Sequence, residues 1–169
     1  MNQTNLHQHN EPVDSNLAFK QLYDLHKKNV FAMALSILRD SSLAEDVLQE
    51  TFIKLYQHQK LQDIPNVKAW LLSVSRNASL DLYRRKKREI TGFDEQYFDQ
   101  EYCKSTDPLD RMILMKYLEL LDSEERQIVV LKDISGLKHR EIAKIIEMPL
   151  GTVLWKYQKA LNKLRKSID

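Results

Sequence analysis

Apolar residues recur three and four positions apart along most of this chain, the spacing of helices that bury one face. The clearest case is 44–56, A-E-D-V-L-Q-E-T-F-I-K-L-Y. Ala44, Val47, Leu48, Thr51 and Leu55 form a core stripe there. Asp46, Gln49, Glu50 and Ile53 fall at i, i+3, i+4 and i+7 on another face. A face held wholly in water has no need of Ile53, so this one is expected to meet a partner.

The same pattern organises the rest. It predicts a helix, or a broken pair, over 17–38, with Leu17, Leu22, Leu25, Phe31, Leu35 and Leu38 inward. Ser42 is placed to cap the next helix, with Glu45 three residues on in a capping box; that helix runs from 43 to about 59. A loop at 62–66 contains Pro65. A third helix spans Val67 to about Arg88, with Val67, Leu71, Val74, Ala78 and Leu82 as core contacts. Gly92 closes this unit. Residues 93–106 are polar, acidic and aromatic without a period, the character of a linker.

A second unit starts at Asp107-Pro108, proline being tolerated in a first helical turn. A helix over 109–121 is followed by Asp122-Ser123-Glu124-Glu125, a cap with acids favourable to the helix dipole. Gly136 ends that helix. A short helix over 138–147, a break at Met148-Pro149-Leu150-Gly151 and a last helix over 152–166 complete the chain. The expected division is a disordered tail at 1–16, a helical domain at 17–90, a flexible acidic linker at 91–108 and a second helical domain at 109–169.

Composition supports an all-α fold, and the length suits one medium domain or two small ones: 169 residues are 43% hydrophobic with only three Gly and four Pro. The net charge of +2 says less than its distribution. Segment 76–88 holds six basic residues against one acid, and 138–169 holds eight against three. Two basic patches joined by an acidic connector suit a polyanion held at two places. Cys103 is the lone cysteine, so no intramolecular disulfide forms, as fits a reducing cytoplasm. No apolar run approaches the roughly 20 residues that span a bilayer. His7 and His9 lack further ligands nearby, so neither a metal nor a cofactor is expected.

Short helix, tight turn and longer basic helix is the layout of a helix-turn-helix, whose second helix enters the major groove. Val153, Tyr157, Ala160, Leu161 and Leu164 make the packing stripe of the last helix. Thr152, Trp155, Lys156, Lys159 and Lys163 lie opposite, where lysines can meet phosphates or base acceptors. Trp155 either packs on a neighbouring element or makes apolar contact in the groove. On the third helix, Ser73, Arg76, Asn77, Leu80, Tyr83, Arg84 and Lys87 share one broad face. Basic groups with an aromatic and an amide among them suit unstacked bases as well as phosphates.

Together, A-E-D-V-L-Q-E-T-F-I-K-L-Y at 44–56, K-A-W-L-L-S-V-S-R-N at 68–77, D-L-Y-R-R-K-K-R at 81–88 and E-I-A-K-I-I-E-M-P-L-G-T-V at 141–153 resemble the extracytoplasmic-function group of bacterial RNA polymerase sigma factors. The resemblance implies two helical domains, sigma regions 2 and 4. It implies that Asp46, Gln49, Glu50 and Ile53 contact the clamp helices of core RNA polymerase, with a further contact between region 4 and the β flap. Asp63, Asn66, Arg76, Asn77, Tyr83, Arg84 and Lys87 would face the melted −10 promoter element, the 62–66 loop holding a flipped base. Lys138, Arg140, Thr152, Trp155, Lys156 and Lys159 would serve the −35 duplex. The acidic linker would follow the RNA exit path. An anti-sigma factor, often membrane-bound, is the implied regulator. The protein would act in the cytoplasm, nucleoid-associated when on polymerase, without itself catalysing a reaction.

The chain departs from that pattern in three places. Glu147 stands where the family usually has Gly. Leu154 and Trp155 stand where basic or small residues are usual, and Lys138 where Ser or Thr is common. Two other functions compete. A stand-alone helix-turn-helix regulator would use the same C-terminal unit but leave the 44–56 face unexplained. A nuclease holding a metal on Glu45, Asp46 and Glu50 lacks a His partner and a convergent pocket.

Overall fold

The structure, a computed structural model, describes residues 13–58, 61–89, 116 and 118–167. Residues 1–12 of the expected tail, the linker with Cys103 and most of the 109–121 helix lie outside the described residues; residues 13–16, expected in the disordered tail, are the first turn of a helix instead. Among the described residues every regular element is helical: α1 (Val13–Leu38), α2 (Ser41–Gln57), a 3-10 turn (Leu61–Asp63), α3 (Val67–Glu89), α4 (Ser123–Val129), a π turn (Val130–Ile134), α5 (His139–Ile146) and α6 (Leu150–Lys166).

The first three helices pack around α2. Its predicted stripe, Ala44, Val47, Leu48, Thr51 and Leu55, is buried, joined by Phe52. The cap differs from the expected one. Arg39 turns the chain with a φ of 53°, and Asp40, in extended conformation, accepts a hydrogen bond from Leu43 N at 2.9 Å. Asp40 therefore caps α2, and Ser42 lies inside the helix. The 62–66 loop contains the 3-10 turn, and Asn66 Oδ1 then accepts from Ala69 N at 3.0 Å to cap α3.

Helix α1 is unbroken, and its two halves meet different surroundings. Leu17 and Leu25, expected inward, are 53% and 68% exposed. Residues 30–38 are buried without interruption. A helix buried on every side needs neighbours on every side. α2 and α3 cover Val30, Phe31, Ala34, Leu35 and Leu38. The C-terminal unit covers the rest: Ala32, Met33 and Ile37, with Leu72 of α3, form one cluster with Leu118, Ile128, Val130, Leu131, Leu137, Ile142, Ile146 and Val153. The two units thus share a continuous core.

In the C-terminal unit the Asp122 cap forms as predicted. Asp122 Oδ1 accepts from Glu125 N at 2.9 Å, and Glu125 Oε2 accepts from Asp122 N at 3.0 Å. α4 runs on into the π turn, where Ser135 N reaches back to Val130 O at 2.9 Å, and Gly136, at a φ of 70°, ends it. Leu150 and Gly151, expected in the break before α6, already belong to that helix, which Pro149 caps.

A shared core predicts shared cooperativity. Leu72, fully buried at the junction, should lose about 2–5 kcal/mol when cut to alanine. Thermal unfolding followed by circular dichroism should show one transition in the parent and in Leu72→Ala, moved downward as a whole. Two separate transitions, only one of them displaced, would contradict a continuous core.

Candidate functional site

Three surfaces carry the candidate residues. On α2, Asp46, Gln49 and Glu50 are exposed beside Ile53, which is 54% exposed. Lys54 Nζ lies 2.7 Å from Glu50 Oε1, and Tyr56, also exposed, sets its ring edge-on to Phe19 with centroids 5.4 Å apart. Two carboxylates and an amide surround a patch of uncovered apolar side chains, as the spacing predicts.

The second surface is divided. Asp63, Asn77, Arg84 and Lys87 are exposed on α3 and the turn before it, Arg84 loosely paired with Asp81 at 3.5 Å. Arg76 and Tyr83 are turned inward instead. Arg76 Nε donates to Gln127 Oε1 at 2.9 Å, and its other arm reaches Ile146 O at 3.5 Å. Burial lowers the Arg76 pKa, and the nearby Glu147 carboxylate works against that. Tyr83 packs where the two core clusters meet. Asn66, besides capping α3, donates from Nδ2 to Glu141 at 3.2 Å. The structure therefore divides the residues expected at the −10 element between an exposed face and a face held by the C-terminal unit.

The third surface is the pair α5 and α6. Lys138 caps α5 with its backbone N–H, donated to Glu141 Oε2 at 2.7 Å, so the Ser or Thr usual there is replaced by the partner half of the box. Arg140 is exposed. Glu147 takes the left-handed conformation itself, φ 60°, so the turn keeps its form without glycine. Tyr157 fastens α6 to the π turn through Asp133 Oδ1 at 2.8 Å; its hydroxyl pKa, pushed up to about 12 by burial and that hydrogen bond, keeps it a donor.

The lysines of α6 do not all face outward. Lys156 Nζ sits 2.7 Å from Glu124, and Lys159 and Lys163 lie 3.3 and 2.6 Å from the fully buried Glu125. Burial alone would raise the Glu125 pKa, but hydrogen bonds from Lys163, the Asp122 N–H and Lys159 outweigh it and hold the carboxylate below its ordinary range. Thr152 is half-buried. Trp155, which sequence left between two roles, is 60% exposed, with the Lys156 and Lys159 ammonium groups 5.8 and 5.2 Å from its ring centroid. It flanks an open groove of about 380 Å³ that Gln158 and Asn162 also line. Those two amides were absent from the sequence-derived set; their spacing from Trp155, three and seven residues, was the available signal.

Comparison with known proteins decides among the readings. Residues 22–89 match the family model "Sigma-70 region 2", and 111–164 match "Sigma-70, region 4". The chain belongs to the extracytoplasmic-function sigma factors. It is 30% identical to the sigma factor SigM of Bacillus subtilis over 155 residues, covering 88% of this chain and 95% of SigM. It is 28% identical to SigL of Mycobacterium tuberculosis over 156 residues, covering 89% of this chain and 88% of SigL. Among solved structures, the Bartonella quintana sigma factor RpoE, in complex with the anti-sigma factor NepR, matches with a TM-score of 0.72 and 27% identity over 88% of this chain and 95% of that one. CnrH, in complex with the cytosolic domain of CnrY, matches with a TM-score of 0.63 and 25% identity over 91% and 89%. An extracytoplasmic-function sigma factor directs RNA polymerase to promoters, so the stand-alone regulator is not favoured. No helix among the described residues is long and apolar enough to cross a membrane.

The Glu125 clamp has a pH signature. A carboxylate with a depressed folded-state pKa adds stability above its ordinary value of 4.5, which is lost as pH falls through the folded value. Glu125→Gln should therefore lower stability by about 1–3 kcal/mol at neutral pH. In denaturant titrations at several pH values, its deficit against the parent should shrink as the solution is acidified below that range. A deficit unchanged by acid would rule out the ionised clamp.

Proposed function

We propose that this sigma factor docks on core polymerase through the α2 face of Asp46, Gln49, Glu50 and Ile53. Asp63, Asn66, Arg76, Asn77, Tyr83, Arg84 and Lys87 serve the melted −10 strand. Lys138, Arg140, Thr152, Trp155, Lys156 and Lys159 serve the −35 duplex. The observation that carries the docking assignment is an apolar side chain, Ile53, uncovered among acceptors. Basic surfaces elsewhere suit DNA; this one does not, and apolar groups ringed by polar ones are what protein interfaces bury. The β flap would meet region 4. Binding of exposed bases favours the melted duplex while polymerase performs the chemistry, so no catalytic role is assigned to this chain. Its place of action is the cytoplasm, at the nucleoid when on polymerase. The complexes of RpoE with NepR and of CnrH with CnrY support control by an anti-sigma partner, which in a membrane-bound form would couple this chain to an external signal.

On the −35 face the outward row of α6 adds Gln158 to this set. A side-chain amide pairs with the N6 and N7 edge of adenine, and an indole can contact a thymine methyl.

Two tests follow. Asp46→Arg with Glu50→Arg should weaken binding to core polymerase at least tenfold, about 1.4 kcal/mol, with helical content unchanged. Equal affinity would sink the docking assignment. Mapping transcription start sites after induced expression supplies the promoter; on its −35 duplex, Gln158→Ala should lower region 4 affinity several-fold and relax preference at one base pair. If the variant keeps the parent's base preference, Gln158 does not read sequence.

A further inference from the structure

Helix α6 carries Lys156, Lys159, Lys163, Arg165 and Lys166 and no carboxylate. A helix so charged is drawn to any duplex, because a lysine that reaches a phosphate releases counterions whatever the sequence. Its lysines are not all left to do so. Lys156 Nζ lies 2.7 Å from Glu124 Oε2, and its side chain is only 17% exposed. Lys159 and Lys163 lie 3.3 and 2.6 Å from the two oxygens of Glu125. Both carboxylates stand in the first turn of α4, outside the two helices of the helix-turn-helix. Arg165 and Lys166, at the far end of α6, are exposed.

The two carboxylates differ in kind. Glu125 is fully buried and completes the capping box with Asp122, so it belongs to the architecture of the unit. Glu124 stands at the surface, its side chain 51% exposed, and the α4 cap is complete without it. Its hydrogen bond raises the Lys156 pKa, with burial acting against it, so the pair stays ionic. The Lys156 and Lys159 ammonium groups also lie within cation–π range of the Trp155 ring. Each of these lysines is shared between a carboxylate and the indole, beside the row of Trp155, Gln158 and Asn162.

We propose that Glu124 is a positioning residue for −35 recognition: through Lys156 it withholds a cation from the DNA backbone, so that discrimination falls to the row of Trp155, Gln158 and Asn162. The inference rests on the −35 reading above. A phosphate approaching Lys156 must displace or share the Glu124 carboxylate, whose own charge repels it. On a duplex without the element, binding is electrostatic and its register is free, so a released Lys156 finds a phosphate. On the element, base contacts fix the register, and Lys156 gains only where a phosphate falls within its reach. The pair therefore suppresses binding to other DNA more than binding to the promoter.

The test uses holoenzyme, the full chain on core polymerase, kept on ice so that the duplex stays closed. It is titrated over a salt series against the mapped promoter and against the same duplex with its −35 element scrambled. Glu124→Gln should bind the scrambled duplex several-fold more tightly, with a log–log salt slope steeper by roughly 0.9, the value of one added phosphate contact. Promoter affinity should rise less, so the ratio of the two affinities falls several-fold. In a Lys156→Ala background the same substitution should change neither slope nor ratio, an outcome that loss of a first-turn acid from α4 would not produce. A parental slope and ratio in Glu124→Gln, or an equal shift when Lys156 is absent, overturns the proposal. A parent that does not distinguish the two duplexes defeats the −35 assignment instead, and the slope of Glu124→Gln then decides alone whether the pair withholds a cation.

Discussion

The register of the junction depends on two guanidinium groups that are charged, partly or wholly removed from water, and each satisfied in part across it. An arginine cannot shed its proton to escape burial, so each buried N–H must find an acceptor. Arg126 finds the carbonyls of Ser36 and Leu121, and burial lowers its pKa, with Arg39 acting in the same direction. Arg76 finds Gln127 and the Ile146 carbonyl. One arginine comes from each unit, and each uses an acceptor on the other. Apolar packing between α1, α3 and α4 supplies attraction without direction; the arginines fix the register in which that packing occurs.

The same economy shapes the DNA-reading end. Glu125 lies at the base of α4, fully buried, and draws Lys159 and Lys163 of α6 toward it, while Glu124 takes Lys156. A helix whose lysine spacing alone predicts one broad cationic face presents instead a row of Trp155, Gln158 and Asn162 with lysines along the flank. Flanking lysines remain suited to phosphates, whereas amides and an indole are what discriminate bases. The departure of Trp155 from the usual family residue thus falls on the outward row. The departure at Glu147 has another consequence: its carboxylate helps keep the charge on Arg76, so a residue that costs backbone strain also supports the junction.

Some of this was legible along the chain and some was not. The α2 core stripe and the exposed row of Asp46, Gln49, Glu50 and Ile53 are local facts of helical period, and both lie where the spacing puts them. The Asp122 cap likewise depends on neighbours three residues apart. The cap of α2 is Asp40 and not the expected Ser42: both are good capping residues, and only the positive φ of Arg39 decides which one has extended backbone. Leu17 and Leu25 share the period of the true core but project where no other helix arrives. A signal for the shared core did exist: nine residues, 30–38, with Ser36 the only polar one, form a stretch of helix with no face left for water.

The sequence by itself determined the helices, their order, the turn chemistry between them and the family, because each rests on residues close together in the chain or on motifs of fixed spacing. Only the tertiary structure decided which basic groups are free. Whether Arg76 faces DNA or Gln127, and whether Lys163 faces water or Glu125, depends on partners 51 and 38 residues away. No periodicity carries that information. It arises when a buried charge must find its acceptor wherever the packed core happens to bring one.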